Sequence, residues 1–395
     1  MTDQFSRIQS TLQTQGPAKA IEELCDDLRQ KKEYNSLFYA LLMKERQQLG
    51  VVPIPTGPSS DLPESVHPTY EQAIRDAARE VGTLYLQAKM IPQAWVYFRM
   101  IDDPAPVKAA LDAMTPGEDD DIQPLVAVAF YEGVHPEKGF AWILQRYGLC
   151  SAITTVGGGG ELPHPEAVKQ HCVKALVHTL YDELRSRLTN EIEAHDGKAP
   201  PEASLPPHTC GVVRSLIAGR DWLFAEDSYH IDTSHLSSVV QMCMTLPACP
   251  ELALAREMCA YGAKLTGRFL GRDEPPFDGG YADYDIYLGI LDGDDTEGGL
   301  AHFRRKVEVA DPQEVGTYPA EVFVNLLVKL GRGKEAIEIA RKYLIDAEAE
   351  GRQLTCPNLN ELCQRYHAYD VLSQVARERG DAVHYLAGLL AAKVS

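Results

Sequence analysis

The sequence predicts an all-α protein, a solenoid of antiparallel helical hairpins with irregular loops through its middle. Two observations carry this. Apolar residues recur at helical spacing along most of the 395 residues, separated by short Gly, Pro and Asp joints. Hairpin patterns also stand at both ends and in the first third, which favours one long array over a catalytic domain with an appendage. A non-repeating helical domain joined by ordinary turns is the other reading. Hydrophobic residues make up 45%, enough to bury a core.

In chain order, the segment from Pro17 through Cys25 opens an amphipathic helix reaching about Arg29, and Glu33 to Leu49 makes the second helix of an N-terminal hairpin, 17–49. Residues 50–68 hold five prolines, two glycines and three serines, so they predict a loop. Tyr70 to Ala88 reads as one helix, with Ala73, Ala77, Val81 and Leu84 near a common face. Met90-Ile91-Pro92 turns the chain, Gln93 to Met100 returns, and Asp102 to Pro106 stops it before a helix from Val107.

The run Gly82…Tyr85…Ala94…Phe98…Pro106 resembles the tetratricopeptide repeat (TPR) family in spacing and residue type. Gly82 and Ala94 are small where two antiparallel helices meet, and Tyr85 and Phe98 fill the space around that contact. Ala78 stands where the family usually has tryptophan, and Ile101 where it has alanine, so the resemblance covers one unit of about 34 residues. It implies a right-handed solenoid with a concave groove that takes a protein or peptide. Fainter hairpins follow: Ile122–Phe130 with Phe140–Tyr147, Glu321–Leu330 with Glu335–Tyr343, and Leu362–Arg379 with Ala382–Lys393. The expected organisation is a single array over 1–395, with TPR-like hairpins at 68–156, an irregular helical middle at 157–310 and C-terminal hairpins at 311–395.

Within that middle, Gly157 to Gly160 is a glycine run, Pro165 to Leu188 a long helix, and 195–207 a Pro-rich loop. Helices are expected at Thr209–Phe224, Thr233–Leu246 and Pro250–Leu270. Between 273 and 297 lie nine acids and no Lys or Arg; Tyr281, Tyr284 and Tyr287 are expected to anchor a short helix there and leave the acids in solvent. Glu297 stands where an EF-hand loop needs glycine, which argues against a calcium loop.

Charge and cysteine usage bound the function. With 38 basic and 57 acidic residues the net charge is −19, a surface that repels phosphate backbones and anionic lipid, so no nucleic acid and no membrane are expected. No stretch approaches the ~20 apolar residues of a bilayer span. The N-terminus has an early acid and no apolar core, so it is not read as a secretory signal. Nine cysteines without a close Cys-x-x-Cys pair favour a reducing, cytoplasmic setting.

The densest chemistry lies between Trp222 and His235. Glu226, Asp227, His230 and His235 supply carboxylates and imidazoles for a metal or acid/base site, and Trp222 and Tyr229 are aromatic contact residues. Asp232 is equally placed to cap a helix from Thr233. On the helix from Pro165, His171, His178 and Asp182 share a face opposite the apolar stripe Val173, Leu176, Val177, Leu180 and Leu184. The leading expectation is an interaction scaffold that needs no cofactor and takes a protein or peptide partner in its groove, a basic one being favoured by the charge. The alternative is a metal-dependent or acid/base enzyme on a helical scaffold, holding a transition metal with His171, His178, Glu226, His230 and His235. None of these spacings matches a strong ligand motif.

Overall fold

The computed structural model describes residues 4–55, 59–158, 163–267, 274–349 and 351–394. Their regular structure is helical throughout, with no strand among the described residues. The chain divides into two compact units, residues 1–148 with 162–168, and residues 149–161 with 169–395. The boundary falls at Gly148, whose φ of 79° interrupts the helix Pro136–Gly157; glycine reaches that left-handed conformation without a Cβ clash.

In the first unit, Gln4–Gln15, Pro17–Lys31, Tyr34–Gln48, His67–Gln87, Ile91–Met100 and Ala105–Ala113 form a series in which each helix packs on the one before it. Proline stands in the first turn of four of them (Pro17, Pro68, Pro92, Pro106), where its missing N–H leaves no bond unmade. Three of the exits share one geometry. A left-handed residue ends the helix, and the next N–H bonds the carbonyl five residues back: Glu33 to Leu28, Met90 to Tyr85, Asp103 to Phe98. The expected Gly82 contact is present. A Cβ added at Gly82 would stand 2.7 Å from Phe98 Cε2, and both Ala94 and Phe98 are fully buried. Tyr34, Phe38, Tyr85 and Tyr97 form an aromatic cluster, which Tyr97 closes by donating to Asn35 Oδ1.

The loop 50–68 is held from inside. Arg46, buried on Tyr34–Gln48, donates two bonds to Asp61 at 2.9 Å and a third to Tyr70 Oη. That clamp lets a segment read only as loop form two 3₁₀ turns, Ser59–Asp61 and Glu64–Val66.

In the second unit the helices Thr233–Cys243, Pro250–Gly262, Tyr281–Asp292, Thr296–Val309, Tyr318–Lys329 and Gly333–Tyr343 follow one another, each packed on the next or next but one. Leu359–Arg365, Tyr369–Glu378 and Ala382–Ala391 complete it. The same exit recurs at Gly293, Gly331, His367 and Gly380.

Four expected elements differ. The helix expected at Pro250–Leu270 ends at Gly262 in a turn closed by Lys264 N–H to Tyr261 O and Leu265 N–H to Gly262 O, and residues 268–270 lie outside the described residues. Leu362–Arg379 is two helices, because His367 takes φ 55° and the Ala368 N–H bonds Cys363 O. Thr209–Phe224 shortens to Val212–Ile217, since Gly219 (φ 69°) breaks it before the 3₁₀ segment Asp221–Asp227. The long helix runs Glu166–Asp196, past the expected Leu188, because Leu188 and Ile192 continue its buried stripe. Gly159 and Gly160 of the glycine run, and Asp273, lie outside the described residues.

Candidate functional site

Two kinds of site follow from these helices. The first is a groove of about 650 Å³ in the first unit, between Tyr34–Gln48 and His67–Gln87. Its apolar lining comes from Leu41, Ala73, Ala77 and the exposed Pro68. Its rim carries Glu45, Asp76 and Glu80 against one base, Lys44. Asp76 and Glu80 stand one helical turn apart with Gln72, so the upper edge is a polar stripe at i, i+4, i+8. Arg29 fixes Glu80 at 2.6 Å, and Gln72 donates to Asp76 Oδ1 at 3.0 Å.

The second is a pair of imidazole clusters along Glu166–Asp196. His178 stacks on His208 with ring centroids 4.0 Å apart and planes 12° from parallel. Each ring has its own carboxylate: His208 Nε2 donates to Asp182 Oδ2 at 2.8 Å, and His178 Nε2 lies 3.4 Å from Glu251 Oε1. Burial, then the neighbouring His208, lower the pKa of His178. Burial pushes the Glu251 carboxyl up, but the hydrogen bond from Cys249 and the charges of Lys174 and His178 outweigh it, and the net shift is downward. Face-to-face rings direct their nitrogen lone pairs outward in parallel planes, so this pair does not converge on a common ion. It ties the loop carrying His208 and the start of Pro250–Gly262 to the long helix.

Further along, His230 is buried. Its backbone N–H donates to Tyr261 Oη at 2.8 Å, and Tyr261 Oη lies 3.1 Å from His230 Nδ1. The tyrosine hydrogen is therefore available to Nδ1, which places the imidazole proton on Nε2. Glu191 Oε2 stands 2.9 Å from that Nε2, off the line of a hydrogen bond. Trp222 stacks on His195 at 3.9 Å. Burial lowers the pKa of His230, Glu191 opposing, and pushes the Tyr261 hydroxyl up to about 12.

The sequence candidates thus separate. His178 and Asp182 belong to the first cluster, Trp222 and His230 to the second, and His178 and Glu191 are thirteen residues apart, about 20 Å along a helix. His171 is exposed two turns before His178. His235 sits in the first turn of Thr233–Cys243, where its backbone N–H bonds the capping Asp232. Tyr229 is exposed. The side chains of Glu226 and Asp227, in the 3₁₀ segment, lie outside the described residues. Among the described residues no three His, Cys, Asp or Glu side chains are grouped to hold a metal ion.

In the acidic run 273–297, Glu274, Asp278, Asp292, Asp294, Asp295 and Glu297 are exposed as expected, and Asp283 is the exception among the described residues. Tyr281, Tyr284 and Tyr287 are buried as expected, but so is Asp283, which accepts from Gly279 N–H, His302 Nε2 and Lys306 Nζ. Asp285 and Asp294 hold Arg256 at 3.0 and 2.9 Å. These acids are counter-charges for bases elsewhere in the chain.

Glu251, Glu191 and Tyr261 escaped the sequence reading, because their partners are remote in sequence. The groove rim was accessible in principle through the Gln72, Asp76, Glu80 stripe. Neither family models, nor curated proteins, nor solved structures give a match to this chain. No helix among the described residues is long and apolar enough to cross a membrane.

Proposed function

We propose that this chain is an interaction scaffold, a TPR-like right-handed solenoid of helical hairpins, and that it receives a basic peptide segment in the groove between Tyr34–Gln48 and His67–Gln87. One observation carries the reading: a groove of about 650 Å³ lined by small apolar residues and by three carboxylates against Lys44, one of the three being paired with Arg29. Ala73 and Ala77 leave room for an apolar anchor, and Glu45 and Asp76 complement flanking Lys or Arg, Glu80 being held by Arg29. The solenoid reading is supported by packing between chain neighbours and by the recurring left-handed exits at Lys32, Lys89, Asp102, Gly293, Gly331, His367 and Gly380. Nine cysteines without a close Cys-x-x-Cys pair support a reducing, cytoplasmic setting. The metal-enzyme alternative has no grouped ligand set among the described residues to support it.

The test is fluorescence anisotropy with a labelled amphipathic peptide carrying four arginines around one leucine, beside its glutamate counterpart. Binding of the arginine peptide alone is expected, weakened roughly tenfold by Glu45→Lys with Asp76→Lys while circular dichroism is unchanged. Equal affinity for both peptides, or an unaffected variant, overturns the reading.

A further inference from the structure

The helix Ala382–Ala391 has two unlike faces. One packs on Tyr369–Glu378 through Gly388, its only buried residue, where an added Cβ would meet Ser373 and Tyr369 O. The other presents Val383, Leu386, Leu390 and, in the turn beyond, Val394, exposed by 75%, 56%, 54% and 90%. The offsets of three and seven residues place Val383, Leu386 and Leu390 within an arc of about 60° on the helix, and Val394 follows in the turn beyond its end. Such a stripe is the seam of a helix pair, left open here.

Three features specify the occupant. The stripe reads Val, Leu, Leu, Val in either direction, so an antiparallel copy meets it with leucines at the centre and valines at both ends. Residues 382–392 contain no Asp, Glu, Lys or Arg, so two copies of a chain with net charge −19 can approach there without opposing like charges. Antiparallel pairing also brings Lys393 of one copy toward the Asp381 end of the other, with the helix dipoles opposed. With Leu389 at the flank, the exposed apolar surface is on the order of 500 Å² per copy, about 1,000 Å² for a pair, the lower bound for a specific interface.

We propose that this face is a self-association surface on which a second copy of the chain docks its own Ala382–Ala391, antiparallel and isologous, forming a weak two-fold dimer. It is independent of the peptide groove in the first unit.

Sedimentation velocity of the full chain across low to high micromolar concentration tests it. A reversible monomer–dimer equilibrium is expected. Leu386→Glu with Leu390→Glu should leave a monomer at every concentration with unchanged circular dichroism, and Leu386→Met should keep the dimer. Lys393→Glu should weaken the dimer several-fold, and high salt should reduce the difference from the parent chain. A parent chain monomeric throughout, or a dimer that persists in the double glutamate variant, overturns the proposal.

Discussion

Single residues in this protein act mainly by meeting a backbone or charge demand far away in the sequence. Glu257 is fully buried on Pro250–Gly262, and its carboxylate accepts from the N–H groups of Gly211, Val213 and Arg214 and from Tyr181 Oη. It caps Val212–Ile217 from another helix, the service Asp232 performs locally for Thr233–Cys243. Glu257→Ala would strand the buried Val213 N–H and remove an acceptor from the buried Tyr181 hydroxyl, so a loss of roughly 3 kcal/mol is expected in urea denaturation, with Glu257→Gln intermediate. A loss under about 1 kcal/mol would show that water replaces the carboxylate. His178 and His230 give a pH signature. Both folded pKa values are lowered from the ordinary 6.5, so the unfolded chain binds more protons as the solution is acidified. The contribution is intact above pH 6.5 and is lost as pH falls through it, levelling below the folded values. The thermal midpoint should therefore drop on acidification from pH 7 toward 5, and His230→Gln should flatten that slope. A slope unaltered in the variant would remove His230 from the account.

At the scale of elements, the repeated unit is the joint as much as the helix. Each exit needs one left-handed residue, supplied by glycine at 293, 331 and 380 but by Lys32, Lys89, Asp102 and His367 elsewhere. A side chain there costs about 1 kcal/mol relative to glycine. Lys89→Gly should therefore stabilise the first unit by about that amount, and Gly331→Ala should destabilise the second similarly. Denaturation midpoints check both, and matching signs for the two changes would refute the argument. This asymmetry also explains what the sequence made legible. Gly331 and Gly380 announced their joints, and Pro92 announced the start of Ile91–Met100, so those hairpins were readable residue by residue. His367 carries no such mark, and the two helices around it merged in the reading. Gly82 and Phe98 were legible as a contact because a small residue and an aromatic recur at fixed spacing. The partnership of His178 with His208 and Glu251 was not, because it joins residues 30 and 73 positions away, and neither helical period nor composition encodes such a distance.

For the whole molecule, the net charge of −19 is a poor guide to where a partner meets the surface. Part of the acidic excess is internal or paired: buried Asp283 holds Lys306 and His302, buried Glu257 holds backbone, and half-buried Asp285 with exposed Asp294 holds Arg256. The composition showed the excess but not this division, so the solvated reading of 273–297 holds for most of its described acids and fails at Asp283. At physiological salt charges are screened beyond about 8 Å, so an approaching basic segment responds to Glu45, Asp76 and the opposing Lys44 more than to the total. Rim charges of this kind act on encounter, whereas the apolar lining acts on residence. Stopped-flow association of the arginine peptide should slow about tenfold between about 0.05 M and 0.5 M salt, with dissociation nearly constant. Asp76→Lys should lower the association rate and flatten its salt dependence without changing dissociation, because Asp76 is an exposed residue of the rim. If salt instead speeds dissociation and leaves association unchanged, the carboxylates are held in buried pairs within the complex. If neither rate responds, the groove binds through its apolar lining alone, and the acidic rim has no part in choosing the partner.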